Sequence, residues 1–280
     1  MSFPPPSASR VAARCSASSC RTVIDGVSHS TVTGVLLVFV AGTAAGALNS
    51  VAGGGSFISF PALLFVGLPP IVANASNNTA MWLGTLSSVG GYRNEFSMSR
   101  SVWPALSVSL AGSVLGAMLL LKTPERTFAH MIPWLLLFAT AVLASSRRLQ
   151  ALVGRTDSPV TEVSRGLLPV LFVVAIYGGY FGAGIGILIL AMLALTGWTE
   201  IHRMNALKVL LATSINGIAV VPFLIARRIA WEEAAILAAG AVLGGYGGAR
   251  IALRLNPAAV RLTVVFIGLA MTIYFFVKPA

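Results

Sequence analysis

The chain has 280 residues, of which 56% are hydrophobic and only 10% charged, and its mean hydropathy is +0.87. A soluble domain is about 25% charged because its surface faces water, so soluble enzymes and nucleic-acid-binding domains are excluded, although the net charge is +11. The same apolar content excludes disorder for most of the chain.

Residues 1–30 stand apart from the rest: they are rich in Ser, Ala and Arg, and Asp25 is their first acid. They are expected to form a disordered basic tail on the cytoplasmic side, with an organellar transit peptide as the alternative. Cys15 and Cys20 lie in this tail with no second ligand pair, so neither a zinc site nor a disulfide framework is expected.

From Asp25 to Arg93 the chain has no Asp, Glu, Lys or Arg between these two residues. Apolar segments then follow at Thr31–Val66, Val72–Gly91, Val102–Leu121, Met131–Ser145, Leu167–Thr196, Asn205–Ile225, Ala234–Leu253 and Val260–Val277. A spanning helix needs about 20 apolar residues, and only helices or closed barrels satisfy their backbone in lipid. These segments are long and continuously apolar rather than alternating, which points away from a barrel. The expected fold is an all-α polytopic membrane protein of about eight transmembrane helices, with seven to ten open.

The first and fifth segments are too long for one simple pass at ~1.5 Å per residue. Each is interrupted by glycines, Gly53-Gly54-Gly55 in one and Gly182-Ala183-Gly184-Ile185-Gly186 in the other. Placing Gly67 on Gly197 puts Gly54 on Gly184 and brings Asn74-Ala75 within one residue of Asn205-Ala206. Gly112 and Gly116 fall on Gly244 and Gly248 after a small insertion. The order of these features implies two homologous halves, residues 31–146 and 167–280, joined by a cytoplasmic linker at 147–166. Internal repeats of this kind recur in secondary transporters. An even helix count per half makes the copies parallel and an odd count inverts them, and the sequence leaves both open. Lys and Arg divide twelve to seven in favour of the cytoplasmic side if the N-terminus is inside, largely through Arg147, Arg148, Arg155 and Arg165.

Two groups of residues carry candidate chemistry. Asn49, Ser50, Gly53, Gly54, Gly55 and Ser56 surround the first break. A half-helix starting at Ser56 would aim free N–H groups and its positive end at an anion. The alternative is close helix packing through small residues. The run Asn74-Ala75-Ser76-Asn77-Asn78-Thr79 contributes Asn77 and Asn78, and its counterpart contributes Asn205 and Lys208, with Gly184 at the second break. Helix capping accounts for one or two of these amides. Lys208 is followed by about twenty uncharged residues, so it is a functional candidate, with snorkelling as the alternative.

All eight acids lie in the tail or near loops, so cation or metal ligands at depth are missing and the donor set suits an anion. His29, His130 and His202 have no metal-ligand spacing, and no Walker motif is present, so no enzyme, cofactor or metal is expected. Trp82, Trp103, Trp134, Trp198 and Trp231 mostly lie toward segment ends and read as interface anchors.

At these same residues the sequence resembles the sulfite exporter TauE/SafE family of membrane permeases. The likeness lies in Asn49 with Gly53-Gly54-Gly55, Pro61, Gly67 and Ala75-Ser76-Asn77, then in Gly178–Gly186, Gly197 and Asn205-Ala206-Leu207-Lys208, and it covers about residues 33 to 277. The resemblance implies some eight helices in two homologous halves and export of sulfite or an organosulfonate. Many relatives carry a lysine just after the Asn of the first-half motif, where this chain has Asn78.

The function expected is therefore a secondary transporter in the bacterial inner membrane, exporting a small sulfur-containing anion by alternating access. A passive anion channel and a non-transporting structural subunit are the alternatives. Expected partners are the anionic substrate and the lipid bilayer, with a homo-oligomer open and no nucleic acid.

Overall fold

The computed structural model describes residues 32–51, 53–92, 102–153, 165–194, 201–252 and 257–278. The N-terminal tail with both cysteines lies outside them, as do Gly197, Trp198 and residues 154–164 of the expected linker. The described residues form ten α-helices and one short 3-10 turn, with no strand among them. In chain order the helices are α1 (Val32–Val51), α2 (Ser56–Phe65), α3 (Pro70–Tyr92), α4 (Val102–Lys122) and α5 (Glu125–Val153). They continue with α6 (Leu168–Tyr180), α7 (Ile185–Ala194), α8 (Ile201–Ile225), α9 (Trp231–Ala252) and α10 (Pro257–Val277).

Eight apolar segments become ten helices because each of the two long segments divides at its glycines, into α1 and α2 and into α6 and α7. Helix α5 runs on to Val153 and so takes in the first residues of the expected linker. Local chemistry sets several ends. Pro70 and Pro257 open α3 and α10, where a missing N–H costs nothing. Glu125 starts α5 and its Oε1 accepts the Ile71 N–H at 2.7 Å, which caps the first turn of α3.

The molecule has apolar side chains outside and polar ones within. Phe266 is 72% exposed, and Leu262, Val173, Leu243 and Ile273 also face outward. Asn74, Ser76, Asn77, Asn78, Ser109, Ser113, Lys208 and Asn216 are all buried. Water would drive such a chain to turn itself inside out, whereas hydrocarbon stabilises it as it stands. Among the described residues, α1, α4 and α8 each contain a stretch long and apolar enough to cross a bilayer. Trp103, Trp134 and Trp231 are exposed. Trp82 is not an anchor: it packs into the α3–α8 crossing, where a Cβ on Gly217 would lie 2.5 Å from its Nε1.

Packing joins the early and late helices. α1 lies along α9 and α4 along α6; α3 packs on both α9 and α8, α8 also on α4, and α5 on α10. Both close pairs run parallel. Gly240, Gly244 and Gly248 meet Phe39, Thr43 and Ala47 in turn, and Gly112 and Gly116 meet Phe172 and Ile176. Each of these glycines lets one helix backbone rest on the other. A Cβ on Gly244 would run into the Thr43 carbonyl, whereas one on Gly247 would meet nothing within 4 Å. Gly244→Ala should therefore lower the thermal unfolding temperature, while Gly247→Ala should stabilise by about 0.5–1 kcal/mol through helix propensity alone. Equal effects of the two changes on melting temperature would show that the α1–α9 contact does not govern stability.

Candidate functional site

Chain reversal at the two glycine breaks builds the centre of the molecule. α1 ends in a turn in which Gly53 takes φ +81°, and its N–H donates back to the Leu48 carbonyl at 3.2 Å. That left-handed conformation is open to glycine at little cost and strains other residues. The chain then doubles back, so that Gly55 lies against the Ala45 carbonyl and the Asn49 side chain. α2 begins at Ser56, with the Phe57 and Ile58 N–H groups bonded to the carbonyls of Gly54 and Gly55. At the second break Gly182 and Gly184 take φ +74° and +75°, and Tyr177 Oη donates to the Ala183 carbonyl at 2.8 Å. The breaks touch: a Cβ on Gly53 would lie 2.7 Å from Gly186 Cα.

Lys208 reaches this contact from α8. Its side chain is 1% exposed, and its Nζ donates to the carbonyls of Ser50 at 3.3 Å and Asn49 at 3.5 Å. Both carbonyls belong to the last turn of α1, where the helix dipole is negative. Among the described residues no carboxylate pairs with it. Such a group in a membrane interior is costly, and two long hydrogen bonds offset only part of that cost. Snorkelling does not describe this residue, because its ammonium points into the protein.

The candidate residues divide between the two breaks rather than forming one ring. Asn49, Ser50, Gly53, Gly55 and Lys208 meet at the first. Asn205 stands one turn before Lys208 on α8, with its Oδ1 buried and unpartnered. Ser56 is buried at the head of α2. The Cα faces of Gly54 and Gly55 are filled by close packing, with a Cβ on Gly54 2.7 Å from Val264 Cγ1. Asn77 accepts the Ser59 hydroxyl at 2.5 Å and thereby ties α3 to α2. Asn78 faces the second break beside Gly182, and Gly184 packs against Phe57 and Ala139.

A model of the sulfite exporter TauE/SafE family matches residues 38–275 of this chain. The chain belongs to that family. A TauE/SafE protein with this outward apolar surface is an integral membrane protein. It is 31% identical over 240 residues to a "probable membrane transporter protein" of Haemophilus influenzae, covering 84% of this chain and 92% of the relative. It is 28% identical to "probable membrane transporter protein ORF9" of a Sinorhizobium species, covering 86% and 92%. To "probable membrane transporter protein YfcA" of Escherichia coli K12 the identity is 26%, covering 85% and 87%. No solved structure matches the chain.

Reading this TauE/SafE sequence alone passes over Asn216 and Thr213, which the structure places in α8 with buried, unpartnered oxygens. An Asn eight residues beyond Lys208, just before the apolar run that ends α8, is the signal that marks the first of them.

Proposed function

We propose that this membrane transporter exports a small sulfur-containing oxyanion, sulfite or an organosulfonate, by alternating access from the bacterial inner membrane. The observation that carries the reading is Lys208: a buried ammonium without a carboxylate partner among the described residues, set where two broken helices meet. An ammonium has three N–H donors, and two of them make only long bonds to the end of α1. The remaining capacity is directed to the anion, beside Asn205 and the N–H groups of Gly54, Gly55 and Ser56 at the head of α2. Asn49 and Ser50 complete the wall. The bacterial origin of the named relatives supports the membrane assigned.

Movement follows from an inverted repeat of α1–α5 and α6–α10. Five helices per half is an odd number, so the second copy enters the bilayer from the opposite face. The matched parallel pairs, α1 with α9 and α6 with α4, support this relation because exchanging the halves turns one pair into the other. Rocking one half against the other about the touching glycines would expose the anion to each side in turn.

Proteoliposomes loaded with labelled sulfite test the proposal. Protein-dependent efflux is expected, and the absence of efflux for sulfite and for a panel of sulfonates would overturn it.

A further inference from the structure

The two breaks carry unequal charge in equivalent positions. Placing Gly54 on Gly184 puts Ser50 on Tyr180 and Asn78 on Lys208. At the first break the Lys208 ammonium lies on the Ser50 carbonyl. At the second, the Tyr180 carbonyl receives only the neutral Asn74 amide, Nδ2 to O at 3.1 Å. Each break ends a helix and so presents the negative end of a dipole, but among the described residues a basic side chain reaches only the first.

Unpartnered polar atoms lie on α3 and α8, the two helices whose Asn78 and Asn216 reach the second break. Asn78 and Asn216 approach Gly182 from α3 and α8, with Asn78 Nδ2 and Asn216 Oδ1 at 3.5 and 3.9 Å from the position of a Cβ there. Asn74 Oδ1, Asn78 Oδ1, Asn216 Oδ1 and Thr213 Oγ1 are buried without a hydrogen-bond partner, and Asn78 Nδ2 is the one nitrogen among them. All four residues are at most 8% exposed. Asn74 and Asn78 are one turn apart on α3, as are Thr213 and Asn216 on α8. Leaving a buried polar group unmet costs about 1–3 kcal/mol, so a set of this size is costly unless a ligand meets it.

We propose that the second break binds a monovalent cation of sodium's size, held by Asn78, Asn216 and Thr213 at the C-terminal end of α6. The excess of oxygen over nitrogen selects a cation over an anion. The absence of a carboxylate from the group selects one charge over two, because divalent ions draw on carboxylates for their neutralisation. Sodium there does for α6 what Lys208 does for α1. Broken-helix ends and unwound carbonyls are suited to this task. Its use as a coupling ion rests on the export reading above, whereas binding itself does not.

The test is equilibrium binding of ²²Na⁺ to the purified full-length chain in nanodiscs, in choline chloride and without anionic substrate. Saturable binding displaced by unlabelled sodium is expected, together with a sodium-dependent rise in melting temperature. Asn216→Leu should weaken the affinity at least about tenfold, as expected for one lost ligand. Asn78→Lys brings its own ammonium and should abolish binding. Melting curves of the same samples separate a folded variant from a misfolded one. No saturable binding to the unmodified chain, or unchanged affinity in folded Asn216→Leu, overturns the site. Sulfite efflux without sodium binding would overturn this inference and leave the export reading standing; sodium binding without efflux of any sulfonate or sulfite would do the reverse.

Discussion

Replacing Lys208 with methionine is expected to abolish sulfite efflux while leaving the protein as stable as before, or slightly more stable. The side chain is 1% exposed and its ammonium has two carbonyl acceptors at 3.3 and 3.5 Å. Removing an ion from water costs several kcal/mol even after relaxation, and exchange of buried charge for a well-packed apolar group is often neutral or stabilising. Methionine keeps the length of the chain and removes that cost, at the expense of about 1 kcal/mol for the carbonyl bonds. An anion held by the ammonium loses a charged hydrogen bond worth about 1.5–3 kcal/mol, or roughly 10- to 150-fold in affinity. Efflux from proteoliposomes and thermal unfolding in the same lipid should therefore part company. Retained efflux would remove Lys208 from the substrate site. Collapse of the fold would make it a clamp on the end of α1 instead.

Gly53→Ala is expected to destabilise the protein strongly, because backbone strain and a backbone clash act at the same position. Alanine at φ +81° costs about 1–2 kcal/mol. Its Cβ would also lie 2.7 Å from Gly186 Cα and 2.8 Å from Gly186 C, and neither backbone atom can rotate aside. The two breaks would have to separate, so a total above about 3 kcal/mol is expected. Gly67→Ala is the control: its φ is +93°, but nothing lies within 4 Å of the added carbon. It should show only the conformational cost of about 1–2 kcal/mol. Unfolding temperature and the monodisperse yield after purification read both variants. If they prove equal, the contact between the breaks contributes nothing to the fold.

Residue type and order made much of this legible. The glycine interruptions at Gly53–Gly55 and Gly182–Gly186 predict where the long segments divide, because consecutive glycines weaken a helix wherever they occur. Lys208 stands out because a charge inside an apolar run is rare enough to need a reason. In sequence an indole near a segment end and one wedged on a facing glycine look alike, and Trp82 is of the second kind because Gly217 lies opposite it. Val264 and the Ala45 carbonyl occupy the Cα faces of Gly54 and Gly55, which leaves only their N–H groups open to a ligand. Asn77 and Asn78 are neighbours in sequence, but one joins Ser59 and the other faces Gly182. Successive residues on a helix point about 100° apart, so adjacency in the chain does not make a shared site.

By itself the sequence determined that the chain belongs in a bilayer and that its helices break at two glycine clusters. It also left one lysine among amides, without an acid in the same apolar run. These properties are local, because transfer to hydrocarbon and the cost of a broken helix depend on each segment's own composition. Only the tertiary structure decided that the two breaks touch and that Lys208 caps α1. It likewise placed Asn78 with Asn216 at the end of α6. Those pairings join residues more than a hundred positions apart. They depend on which helix faces lie together, and packing across the whole bundle sets that.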